Sequence, residues 1–140
     1  MGQGSIIGYE INEKTCQISF YNEKDLEPDT LEVDTDNYQI PLIIGKLRDT
    51  WAYGKEAKRL VTIKDGFTAT RLLSKSLAGD KIEFGEETYD AVWLLSQFIQ
   101  MSLQSFPEID GIVFTVPSLS EEMAQMLRGI AVRMNIDKRN

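Results

Sequence analysis

A chain of 140 residues with 42% apolar and 26% charged positions has the size and composition of one globular domain with a sizeable core. Its net charge of −7 argues against nucleic acid or a membrane surface as partner, since both demand basic patches, and no apolar run is long enough to span a bilayer. The lack of histidine removes Ser-His and Cys-His nucleophile pairs and most zinc sites, and the single cysteine, Cys16, removes an internal disulfide and fits a reducing, cytoplasmic compartment.

Residues 1–5 carry no periodicity and are expected to be a disordered start. Segments 6–11 and 15–21 alternate apolar with polar positions, the pattern of two antiparallel strands joined by the polar turn Asn12-Glu13-Lys14-Thr15. Ile18 and Phe20 face one way, Gln17 and Ser19 the other, and Cys16 reads as a buried structural thiol. After the polar loop 22–29, with Pro28 near its end, a third strand is expected over about 30–34. Acidic residues recur from Glu23 to Asp36, read as a solvated edge that resists edge-to-edge pairing, with a cation site as the alternative.

Ile40-Pro41-Leu42-Ile43-Ile44 reads as a strand begun by its proline, Lys46 to Thr50 as a polar turn, and Trp51-Ala52-Tyr53 as the returning strand. Gly54 opens a short helix over 55–60, and a second helix is expected over Phe67 to Leu77, ended by Gly79-Asp80 ahead of an edge strand at 81–84. Residues 38–84 are therefore expected to form a small α+β subdomain inserted in a larger core made of 6–37 and 85–140. In that core, Tyr89, Val92, Trp93, Ile99, Leu103 and Phe106 lay an apolar stripe along a helix with Glu86 and Glu87 in its first turn and Pro107 at its end.

The run 109–116 has the apolar continuity of a central strand covered on both faces. Pro117 stops it, Ser118 and Glu121 have capping-box spacing, Ser120 is an equal N-cap candidate, and Met123, Leu127, Ile130, Ala131 and Met134 mark the buried face of a last helix. Ile136 begins something the chain does not continue, so a fragment of a longer protein is expected. The fold class is α/β: a mixed sheet with three antiparallel N-terminal strands plus a parallel central strand, helices packed on it, and the inserted subdomain.

The order of these elements resembles the N-terminal lobe of the actin-like ATPase superfamily, whose members include actin, sugar kinases and DnaK-type chaperones, and within it an uncharacterised bacterial family. The chaperone hairpin of form Gly-x-Asp-x-Gly-Thr-Thr is similar to Gly8-Tyr9-Glu10-Ile11-Asn12-Glu13-Lys14. A Gly-x-x-Ala-Lys helix start is matched by Gly54 to Lys58, and a buried strand ending Thr-Val-Pro by Thr115-Val116-Pro117. These matches cover nearly all of 6–136 and imply a ribonuclease-H-like lobe.

The resemblance implies ATP and magnesium as cofactors of the full-length protein and none for this chain alone, with Glu10, Asn12, Glu13, Lys14 and Thr15 at the phosphates. Glu10 would act on the metal through water. Asn12 stands where the family has a glycine, as a residue that tolerates the left-handed conformation, and Glu13 stands in place of a hydroxyl. The family's catalytic lysine aligns with Thr70, beside Arg71, and the arginine paired with the switch proline aligns with Gln125. The resemblance leaves the adenosine site to a second lobe, which is the expected partner.

Three functions follow from these readings. One is a nucleotide-binding lobe of weak or lost hydrolytic competence. The second is a degenerate actin-like fold kept as a protein-interaction or scaffolding module, with Trp51 and Tyr53 either in its contact surface or in the core. The third is a ribonuclease-H-like nuclease, for which the strands offer Glu10 and Asp110 as metal carboxylates.

Overall fold

The computed structural model describes residues 5–21, 29–31, 38–106 and 108–134. The first four residues, the loop 22–28 with Pro28, most of the acidic stretch and of the expected third strand at 32–37, Pro107 and Ile136 lie outside the described residues.

The chain is a mixed α/β structure. In order it runs β1 (Ser5–Ile11), β2 (Thr15–Tyr21), β3 (Asp29–Thr30), β4 (Gln39–Pro41), β5 (Ile44–Leu47), β6 (Thr50–Tyr53), α1 (Gly54–Arg59) and a 3-10 turn (Leu60–Thr62). There follow β7 (Gly66–Ala69), α2 (Leu72–Leu77), β8 (Lys81–Phe84), β9 (Glu87–Asp90), α3 (Ala91–Ser102), β10 (Ile109–Thr115) and α4 (Glu121–Arg133).

The main sheet has five strands. β1 lies between β10, which it pairs in parallel, and β2, which it pairs antiparallel; β3 and β4 share the outer edge of β2, at Ser19–Phe20 and Thr15–Gln17 respectively. A three-stranded antiparallel sheet, β6-β5-β7, and the hairpin β8–β9 complete the described strands.

Alternation decides what β1 buries. Ile7, Tyr9 and Ile11 point to one face and are almost wholly buried, while Glu10 between them is exposed. That face joins Ile18 of β2, Leu72 of α2, Leu94, Leu95, Phe98 and Ile99 of α3, and Leu127 and Ile130 of α4 in one continuous core. A short polar relay runs through it. The Ser102 hydroxyl donates to the Ile99 carbonyl at 2.7 Å, which leaves its oxygen to accept from Tyr9 Oη at 2.6 Å; Tyr9 in turn accepts from Cys16 Sγ at 3.6 Å. Burial, joined by the neighbouring Cys16, pushes the Tyr9 phenol well above its ordinary value, and burial pushes the Cys16 thiol up to about 12.

Several expectations need correction. The expected strand 40–44 is two: Pro41 ends β4, which belongs to the main sheet, and Ile44 opens β5 in the second sheet. Lys46 lies within β5, and the turn is the pair Arg48-Asp49, with Arg48 at φ 57°. Residues 66–69 form a strand and not the start of a helix, because β5 offers them a free edge to pair with. Glu87 and Tyr89 sit in β9, since Gly85 at φ 67° turns the chain tightly after Phe84. The helix accordingly begins at Ala91 and buries positions 91, 94, 95, 96, 98, 99 and 102, leaving Trp93 37% exposed.

The last correction concerns β10. Among the described residues it is an edge strand with one strand neighbour, and Val113 on its far face is 61% exposed. An apolar run reads the same whether its second flank is covered or left open. Of the two N-cap candidates, Ser120 is the one used: its Oγ accepts from the Met123 amide at 3.0 Å.

Candidate functional site

The turn between β1 and β2 is built around Asn12. Its Oδ1 accepts the amides of Lys14 and Thr15, each at 2.8 Å, and the Thr15 hydroxyl at 3.4 Å, while its own amide donates to the Thr15 carbonyl at 2.9 Å. This side-chain-closed turn needs no left-handed residue, and Asn12 is not among the positions with positive φ. Asparagine therefore serves here as an acceptor, contrary to the conformational role expected of it. These bonds occupy three of the amides in the turn that the resemblance would set at the phosphates, those of Asn12, Lys14 and Thr15.

Glu13 reaches in a different direction from the one expected. Its Oε1 accepts the Ser74 amide at 2.8 Å and its Oε2 the Ser74 hydroxyl at 2.6 Å, so the carboxylate ties the hairpin tip to the first turn of α2 across 61 positions of sequence. The Lys14 carbonyl accepts the Leu42 amide at 2.8 Å, which anchors the other side of the tip to the segment after β4. Ser74 carried no signal of this role in the sequence, because nothing local marks a contact so far along the chain.

Beside the tip lies an open cleft of about 330 Å³ lined by Glu13, Lys14, Thr15, Lys58, Thr70 and Arg71, among others. Motifs that are far apart in sequence thus meet: the hairpin turn, the lysine of the Gly54–Lys58 helix start, and the Thr70-Arg71 pair. Arg71 holds a left-handed backbone at φ 54°, ψ 41° as it enters α2. Three cations and two hydroxyls against one carboxylate, itself engaged by Ser74, make the cleft attractive to anions in an otherwise acidic chain.

Glu10 does not line this cleft. It pairs across the sheet with Gln17 and Thr115 and is exposed on the face away from the helices. Asp110 is five residues back along β10 from Thr115, a separation of roughly 16 Å at strand spacing. Among the described residues no three acidic, cysteine or histidine side chains gather as a metal site would require. Gln125 is an exposed residue of α4.

Trp51 and Tyr53 are half-buried. Trp51 packs with Phe84, Tyr89 and Trp93 at ring separations of 6.1, 5.3 and 5.7 Å, and Tyr53 meets Phe98 edge-on at 5.8 Å. Lys46 Nζ lies over the Trp51 ring and donates to Glu87 at 2.8 Å and Tyr89 Oη at 3.1 Å. The Glu87 bond holds the lysine above its ordinary range and, reciprocally, Glu87 below its own. Both aromatics act here as mortar between the second sheet, the β8–β9 hairpin and α3.

Fold and cleft define a mixed α/β domain with a cation-lined pocket at a hairpin tip. By sequence the chain belongs to the family described as "Family of unknown function (DUF5716) C-terminal", which matches residues 27–140. The β1–β2 hairpin lies ahead of the matched stretch, and the helix start and the Thr70-Arg71 pair lie inside it. No curated protein matches the chain. Among the described residues no helix is long and apolar enough to cross a membrane.

Proposed function

We propose that the chain is a lobe of an actin-like ATPase fold whose phosphate hairpin has become a structural clasp. It works as a binding or scaffolding module of weak or lost hydrolytic competence, inactive in isolation. The observation that carries this reading is the fate of the hairpin's polar groups. Asn12 takes the Lys14 and Thr15 amides, and Ser74 takes the Glu13 carboxylate. Phosphoryl transfer depends on positioned donors and a metal held against the phosphates. Donors already satisfied within the turn, and a Glu10 facing away from the cleft, fit a magnesium nucleotide poorly. What the cleft keeps is charge: Lys14, Lys58 and Arg71 favour an anion without the machinery to cleave it.

The test is a calorimetric titration of magnesium-ATP into the longest polypeptide that contains this chain, with the chain alone alongside and phosphate release followed in both. No saturable heat at about millimolar nucleotide and no phosphate release are expected. Micromolar binding with turnover in the unmodified protein would overturn the reading. The Glu13→Thr variant sharpens the result, since it restores the family's hydroxyl and frees the hairpin tip from Ser74. A rise in ATP affinity in that variant alone would mark the clasp as the element that displaced nucleotide.

A further inference from the structure

The cleft at the hairpin tip carries more charge than the clasp uses. Lys14, Lys58 and Arg71 reach it from three places: the β1–β2 turn, α1 and the residue that precedes α2. Lys46, Arg59 and Lys81 are each matched by a carboxylate within 3.2 Å. Among the described residues no carboxylate stands that close to Lys14, Lys58 or Arg71. Glu13 is the one carboxylate of the lining, and both its oxygens accept from Ser74. The lining therefore keeps a surplus of two positive charges. Arg71 also holds a left-handed backbone at φ 54°, which a residue other than glycine keeps only where the surrounding structure fixes it. Pro41, Leu42 and Ile43 add an apolar stretch to the same lining, Pro41 and Ile43 being half-buried.

Resting on the reading that the hairpin no longer holds nucleotide, we propose that this cleft binds a small organic dicarboxylate, two carboxylates on a short apolar body. The donors decide the chemistry of the anion. Phosphate sites surround their oxygens with backbone amides, and here the amides of Asn12, Lys14 and Thr15 are bonded within the turn. What remains are side-chain donors: the arginine fork, which matches the two oxygens of a carboxylate, two ammonium groups and the Thr70 hydroxyl. A dianion cancels the surplus charge. Because the cations stand on separate elements, its two charges lie apart and not on one phosphorus. Pro41 and Ile43 supply apolar contact for the body between them. The space suits such a molecule, since about 330 Å³ is at the small end of ligand sites, which run roughly 300–1,000 Å³.

The probe is adipate, titrated calorimetrically into the full 140-residue chain beside its neutral counterpart adipamide, inorganic phosphate and magnesium-ATP. Saturable binding of adipate below about 1 mM is expected, with adipamide and phosphate weaker by about tenfold or more. Lys58→Gln and Arg71→Gly should each weaken adipate by about fivefold or more. Glycine suits the left-handed backbone, so Arg71→Gly should lose the ligand without lowering the unfolding midpoint. Glu13→Gln keeps an oxygen for Ser74 and removes the opposing charge, so it should tighten adipate by about threefold. No saturable heat up to about 10 mM adipate, equal affinity for adipamide, or unchanged affinity in both cation variants would overturn the proposal and leave the lost-nucleotide reading standing. Phosphate binding tighter than adipate at the same residues would do the same. Micromolar magnesium-ATP binding with phosphate release would overturn both together.

Discussion

The two sides of the main sheet are finished in different ways. On one side β2 is covered along its length by β3 and β4, and its turn is bolted to α2 and to the segment after β4 by directional polar contacts. On the other side, among the described residues, β10 ends the sheet with an open edge and an apolar groove. The closed side has the residues that resemble a ligand-binding motif, yet it spends them on architecture. The open side carries a motif match only where β10 ends, at Thr115-Val116-Pro117, yet among the described residues its backbone faces no further strand. A motif-like turn is thus read from the bonds its polar groups make as well as from the order of its residues.

Substitutions can break or sharpen this contrast. The largest effect is expected where both sides share one support. Phe98 is fully buried on α3, and Phe98→Ala should cost about 3–5 kcal/mol in urea unfolding and loosen both flanks together. Gly45→Val comes next: even a Cβ at this position of β5 would lie 2.9 Å from the Phe67 carbonyl oxygen and 2.9 Å from Leu60 Cδ1. The strain should cost about 1–3 kcal/mol and speed amide exchange in β7.

Glu13→Ala tests the closed side itself. It should cost about 1 kcal/mol and raise exchange of the Ser74 amide, with β10 unaffected. Smaller still is the exposed Glu87–Lys46 pair. Glu87 is held below its ordinary value, so the stability it lends is present above the usual carboxylate range and is lost as pH falls through its lowered folded value. Unfolding midpoints of Glu87→Gln and the unmodified chain should therefore differ slightly at neutral pH and converge in acid. Val113→Lys should change stability by no more than about 0.5 kcal/mol, because the side chain is exposed; a larger loss would mean that the open side is not open.

The sequence announced what is local. The β1–β2 hairpin followed from strict alternation, and the last helix from its apolar spacing and its serine cap. The Gly85 turn was readable too, since glycine after Phe84 is a hairpin signal, but the acidic pair behind it imitates the first turn of a helix. What stayed hidden depends on partners distant in the chain. Gly66–Ala69 has no strand pattern of its own and is extended because β5 pairs with it. Arg48 turns the chain without the glycine or asparagine that would mark such a turn. The resemblance named Glu13, Lys14 and Thr15 and aligned Thr70, beside Arg71, and these five side chains line one cleft. Their chemistry was not foreseen, because it rests on Ser74 and on what the Asn12 oxygen accepts.

The relay from Cys16 through Tyr9 to Ser102 has one more consequence. Alkylating reagents attack the thiolate, and this thiol is buried, bonded and held near 12. In the folded chain it should be silent to iodoacetamide at neutral pH. Each labelling event then counts one excursion in which the core around Cys16 and Tyr9 opens, so the mass gained over time is a clock of core opening. With one cysteine in the chain, the clock has a single hand.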